Sequence, residues 1–291
     1  MTWLTWRQHR AEAGVAALLV AVFAVFALLS GLPAHTAYRD DGVSACLADP
    51  TEGCGGIVTR FAEHYNGTNN SPVVLLLLLV PAVAGMFIGA PLLAREFEEG
   101  TWQLAWTQSV PRLRWLVSKL LLVTLGTAAG AIAISGIYAW WHAPFDRITA
   151  RFDLAPFEFG IPVFTAHTLF AVAVGILAGV LLRRTLPAMA VTLVVYIAVA
   201  FPVATQLRPH YMEPRTAVGL ERVTDDPFES WGDWNLEQDL GEADSPIPNP
   251  VTTYHPASRF WAFQLIEAAI YLALAVGLLG CVVLRIHRKA G

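Results

Sequence analysis

Few side chains in this sequence can do acid–base chemistry from within apolar surroundings. Glu267 is the one acid inside a long apolar run, and Gln264 precedes it by three residues, on the same side of a helix. His167 lies in a different apolar run at a comparable depth. If these runs cross a bilayer, Glu267 sits roughly 10 Å below the surface, counted from Phe260 at ~1.5 Å per residue. A charged carboxylate there costs several kcal/mol unless it is paired or wet. Two roles fit. Glu267, Gln264 and His167 could line a path through the membrane, or Glu267 could make a buried structural hydrogen bond to loop backbone. An intramembrane enzyme would need a nucleophile with its base, paired acids or metal-spaced histidines. Glu267 and His167 instead stand on separate helices.

Other reactive types are sparse. Cys46 and Cys54 share one loop, with Pro50 and Gly53 between them. A disulfide fits them better than a metal site, because His35 and His64 are at no ligand spacing. No metal site is expected. Cys281 stands alone in an apolar run as inert packing. No Gly-x-x-x-x-Gly-Lys-Ser/Thr loop occurs to cradle a nucleotide phosphate. No nucleic-acid partner is expected.

The elements that carry these residues follow from composition. Hydrophobic residues make up 55% of the 291, and only 14% are charged, where a soluble domain carries about a quarter charged. Lipid must cover such a chain. Six apolar segments approach the ~20 residues that cross a bilayer core: 13–32, 72–94, 120–141, 159–182, 185–207 and 260–284. The spacing predicts an all-α integral membrane protein, one transmembrane domain over 1–291. Lys and Arg orient it. One set of loops and termini carries eleven basic residues against four acids, the other eight against eighteen. All six spans alternate consistently with this split, so both termini are expected in the cytoplasm. The outer loops include a long acidic one, 208–259, expected to fold partly against the membrane face. Gly85/Gly89, Gly126/Gly130 and Gly175/Gly179 read as generic close helix packing. Pro81 and Pro91 should loosen the second span.

Two cytoplasmic stretches stand out. Thr2-Trp3-Leu4-Thr5-Trp6-Arg7-Gln8-His9-Arg10 is either an amphipathic helix in the headgroup layer or an aromatic and basic flank of the first span. The loop Arg95-Glu96-Phe97-Glu98-Glu99-Gly100-Thr101-Trp102, continuing to Trp106 and Arg112, concentrates acids on the face where they are scarce. Phe97, Trp102 and Trp106 would anchor a protein partner. The other reading is a helix lying on the membrane surface.

The 95–101 stretch, followed by Trp106-Thr107-Gln108-Ser109-Val110 and the basic Arg112, Arg114 and Lys119, resembles the loop of ABC transporter permeases of the type-2 exporter class. The start at 2–10 and the stretch Tyr254-His255-Pro256-Ala257-Ser258-Arg259-Phe260-Trp261 look like an actinobacterial branch. The resemblance implies a permease subunit of an ATP-driven exporter, multi-pass in a bacterial plasma membrane and pairing as a homodimer. It implies that residues 95–110, with Arg95, Glu96, Phe97, Glu98, Glu99, Gly100, Thr101, Trp102 and Trp106, form a coupling helix docking on a separate ABC ATPase subunit. ATP and Mg would be held by that partner, with no cofactor on this chain. Glu267, Gln264 and His167 become candidates for the translocation route. A non-transporting scaffold or an intramembrane enzyme is the alternative.

Overall fold

The computed structural model describes residues 2–49, 53–69, 72–100, 112–218, 232–239 and 251–288. Among the described residues, six helices are long and apolar enough to cross a membrane: Ala13–Asp40, Val80–Glu98, Leu113–Phe145, Ile161–Leu182, Thr185–His210 and Ala257–His287. They are called the first to sixth spans. The end bearing Cys46 and Cys54 is called the outer end, and the opposite one the inner end. The six-span, all-helical membrane fold expected from hydropathy is present.

Several boundaries differ from the sequence expectation. The first helix is unbroken from Thr2 to Asp40 and passes through Pro33, so residues 2–10 continue the first span. Proline forfeits one backbone bond, yet packing carries the helix on. Ala34 joins Val43, Leu47, Val58, Phe61 and Phe145 in a small outer core. The short helices Val43–Ala48 and Cys54–Asn69 complete that core. Cys46 and Cys54 are joined by a disulfide, with Cα atoms 5.4 Å apart.

The second span is broken where its prolines fall. Pro72–Leu78 ends at Leu79, Val80–Ala84 restarts with Pro81 in its first turn, and Gly85–Gly89 forms one π-helical turn ahead of Pro91. The wide turn bonds the N–H of Ala90 to the Gly85 carbonyl. A π-turn at such a site accommodates the ring and the missing donor.

The fourth span is the axis of the bundle. It is buried along most of its length and packs on the second, third, fifth and sixth spans. Two glycine pairs explain how closely it meets the second. A Cβ on Gly175 would lie 2.3 Å from the Gly85 carbonyl oxygen, and one on Gly89 2.5 Å from that of Val172. A Cβ on Gly179 would lie 2.5 Å from the Ala90 carbonyl oxygen. The backbones therefore touch, which only glycine permits. Gly126 and Gly130, with the same spacing, face open space.

Part of the long outer loop forms a small antiparallel sheet, an addition to the all-helical expectation. Its strands are β1 (Arg215–Val218), β2 (Trp234–Asp239) and β3 (Val251–His255), in the order β1-β3-β2. The sheet is fastened to the spans through Trp234, which stacks on Phe152 with centroids 5.5 Å apart, and through His255, whose ring lies 4.8 Å from that of Phe263.

Gly175→Leu should reduce folded yield or lower the melting temperature sharply, because overpacking a backbone contact costs about 1–3 kcal/mol or more. Gly126→Leu should change neither. Size-exclusion profiles and thermal unfolding in detergent compare them, and equal behaviour would refute the backbone contact.

Candidate functional site

Two groups of side chains invite a functional reading, one at each end of the bundle. At the inner end, the second span closes with Ala90–Glu98, and Gly100 then takes a left-handed φ of 69°. Glycine in that conformation stops a helix. Arg95, Glu96, Phe97, Glu98 and Glu99 are thus the last turn of the second span. They are separated by Gly100 from Thr101, Trp102 and Trp106, which lie outside the described residues.

That last turn is fastened to both neighbours. Glu96 pairs with the buried Lys119 of the third span. Glu98 accepts the Thr185 hydroxyl hydrogen at 2.5 Å, and it also bonds the Thr185 backbone. Thr185 opens the fifth span, and the residue before it makes no side-chain cap. Glu98 therefore caps the fifth span from the second, where a carboxylate also suits the helix dipole. Arg183, at a left-handed φ of 54°, lays its guanidinium 5.6 Å from the Phe97 ring centroid. Glu99 is exposed, and so is Arg95.

The outer end holds a buried ion cluster. Glu267 is fully buried, and His167 and Arg208 are 4% and 5% exposed. Arg208 donates from Nε to Glu267 Oε2 at 2.8 Å and from Nη2 to Glu267 Oε1 at 2.6 Å. The same Nη2 reaches Glu158 Oε1 at 2.5 Å. His167 stands between the two acids, with Nε2 3.2 Å from Glu267 Oε1 and Nδ1 3.5 Å from Glu158 Oε2. Tyr211 donates its hydroxyl hydrogen to Glu267 Oε2 at 3.1 Å. The Tyr196 hydroxyl lies 3.4 Å from His167 Nδ1. The Phe157 ring lies against the guanidinium, 4.0 Å from centroid to Cζ.

Local structure explains each position. After Pro202 the fifth span makes a π-helical turn, Val203–Leu207, closing with the Arg208 N–H on the Val203 carbonyl. One extra residue rotates the chain beyond it by roughly 100°, and it leaves Arg208 buried. Glu158 ends a short helix, Leu154–Glu158. Gly160 comes two residues later, and a Cβ there would lie 2.2 Å from Gln264 Oε1. Its absence lets the Gln264 amide donate to the Phe157 carbonyl at 2.7 Å.

Of the residues singled out from sequence, Glu267 and His167 thus converge in one buried cluster, while the buried Gln264 bonds the Phe157 carbonyl instead. Glu267 and His167 stand on different helices, as expected, and their side chains touch across them. Sequence reading missed Arg208 and Glu158, and Arg259, next to the start of the sixth-span helix, does not join them. Arg259 instead donates to the Glu213 carbonyl and to His255 Nδ1. The signal in the sequence was an arginine between two prolines, Pro202 and Pro209, at the span end where bases are scarce.

Glu158, His167 and Glu267 present atoms within 4.8 Å of one another, a spacing that could hold a metal ion. Arg208 already engages both carboxylates, so a guanidinium supplies the positive charge. The arrangement suits clamping the outer ends of three spans better than binding a second cation.

A family model described as ABC-2 membrane transporter related matches residues 17–208, about two thirds of the chain. The chain belongs to this family. ABC-2 permeases are typically non-enzymatic and imply a membrane location and an ABC ATPase partner. The match ends on Arg208, so Glu267 and the outer sheet fall beyond it. Searches of curated proteins and of solved structures found no match.

Two outcomes test the outer end of this ABC-2 permease. Glu267→Leu should strand Arg208 as an uncompensated buried charge, destabilising by about 3–5 kcal/mol. Glu267→Gln keeps the shape but also removes the charge, and its amide NH2 would face an Arg208 donor where a carboxylate oxygen now accepts, so it should lose nearly as much; a clearly smaller loss in thermal unfolding would show that charge pairing is not what matters. The second outcome concerns His255, outside the spans. It donates from Nε2 to the Pro209 carbonyl at 3.0 Å and accepts from Arg259 at 3.3 Å. Burial, with Arg259 and His210 nearby, holds its pKa below the usual 6.5. A depressed histidine stabilises the fold above the unfolded pKa, and that contribution is lost as pH falls below about 6.5 toward the lowered folded pKa. Proteolysis of the outer loop should therefore accelerate on acidification to pH 5, and His255→Gln should flatten that dependence.

Proposed function

We propose that this chain is the membrane-spanning subunit of an ATP-driven exporter, paired with a second copy and carrying two separate ATPase subunits that bind Mg and ATP. The observation that carries this reading is the family membership of the six-span bundle. The stretches 2–10 and 254–261 favour an actinobacterial member in a bacterial plasma membrane. The excess of Lys and Arg at the inner end favours cytoplasmic termini, and the disulfide at the outer end fits an oxidising compartment.

In this reading the residues after Gly100, with Trp102 and Trp106, dock on the ATPase, and the exposed Arg95 and Glu99 flank the contact. Glu96 and Glu98 have a different task. They tie the end of the second span to the third and fifth spans through Lys119 and Thr185. Closure of the ATPase pair would push on this joint and tilt the spans. At the far end, the cluster of Glu158, His167, Arg208 and Glu267 would hold the outer mouth shut until the push arrives. Glu267, Gln264 and His167 would then border the route as its closure rather than as a binding surface for cargo.

Affinity purification should recover an ATPase subunit of ~25–35 kDa, the mass of one or two compact domains. Glu99→Lys combined with Trp102→Ala should weaken that association by about tenfold or more, the loss of one anchoring residue. Glu98→Ala should leave association intact while lowering stimulated ATP hydrolysis. Undiminished association in the first variant would remove the docking assignment, and undiminished stimulation in the second would remove the joint.

A further inference from the structure

A hollow of about 450 Å³ opens between the outer ends of the first and third spans, lined by Leu32, His35, Tyr38, Arg39 and Trp140. Its walls are set by contacts within the fold. The His35 ring stacks on the Trp140 indole, with centroids 4.7 Å apart and planes 18° apart. His35 Nε2 donates to the Trp140 carbonyl at 2.9 Å. Gly31 makes this approach possible, since a Cβ there would lie 2.9 Å from Trp141 and 3.1 Å from Trp140. Arg39 donates from Nε to the His35 carbonyl at 3.3 Å. That bond uses one of five guanidinium N–H groups, and Arg39 is exposed.

The level of the hollow is informative. Leu28, Leu29 and Leu32 are exposed on the membrane side of Arg39. Aromatic and basic residues beyond such a stripe mark the headgroup layer. Gly136 lies one turn below Trp140, and a Cβ there would meet nothing within 4 Å. The surface beneath the indole is thus open for an acyl chain.

We propose that this hollow binds the phosphodiester headgroup of a phospholipid from the surrounding leaflet. Arg39 holds the phosphate, and the Trp140–His35 stack and Leu32 hold the glycerol and upper chains. Charge favours a tethered anion over a free one. The outer loops carry eighteen acids against eight bases, so a dissolved anion is repelled there. A lipid is held at the surface by its chains, and those chains gain apolar contact as well.

Native mass spectrometry of the detergent-purified full chain, titrated with phosphatidylglycerol, tests this. One saturable adduct is expected. Arg39→Gln should weaken it at least tenfold, whereas Arg60→Gln, an exposed arginine on the same outer face, should not. Gly136→Phe, which fills the space below the indole and leaves Arg39 in place, should also weaken it. Unchanged melting temperatures exclude misfolding as the cause, and a variant that does melt early leaves the other to decide. An adduct that survives both variants overturns the proposal. Displacement by glycerol phosphate at equal concentration shows an anion site instead of a lipid site. Cross-linking of Leu32→Cys between two copies, with no adduct, shows an interface between copies.

Discussion

Taking two carboxylates and a guanidinium out of water costs several kcal/mol per ion, and only close mutual pairing offsets it. The outer half of the bundle is arranged around that requirement. Arg208 comes from the end of the fifth span, Glu267 from the sixth, His167 from the fourth and Glu158 from the helix just before it. None of these elements can leave the group without exposing or orphaning a charge. The π-turn before Arg208 and the missing side chain at Gly160 both serve to bring partners within reach. Partial separation of the cluster would leave a buried charge short of its partner, which is the costly state.

The middle of the bundle is held by a different means. The second and fourth spans meet through backbone at Gly85, Gly89, Gly175 and Gly179. Such contact is close and non-polar, and it resists compression more than it resists sliding. The π-turn in the second span lies on this contact. The inner end is fastened by the Glu96–Lys119 ion pair and by the bonds of Glu98 to Thr185. The means of fastening thus differs along the bundle: ion pairing outside, backbone packing in the middle and polar side-chain contacts inside.

Much of this was legible in the sequence. Six runs nearly free of charge, with bases gathered at alternate ends, lead directly to the spans. Glu267, Gln264 and His167 stood out because polar groups are rare at that depth. Arg208 did not, because an arginine at a span end is ordinary, and only the extra residue of a π-turn buries it. The glycine pairs show a similar limit. Three pairs share one spacing, but spacing does not say which faces meet, and Gly126 and Gly130 face open space. The first apolar run ends at residue 32, yet the helix continues to Asp40, with Ala34 packed into the outer core. The strand Val251–His255 escaped notice because it is short and sits in a tract rich in proline and acid.

The cluster also has an order in time. A ribosome delivers Glu158 and His167 first, and then Arg208. Glu267 comes 59 residues after Arg208 and 100 after His167. Until the sixth span enters the membrane, the arginine has one carboxylate where it will later have two. The nascent protein must therefore hold a half-neutralised cation at the edge of the lipid, or leave that segment in water, until synthesis is nearly complete. Closing the outer end is bound to be one of the last events of assembly. A chain cut short before its final helix would retain five apolar segments and an arginine lacking its bidentate counterion.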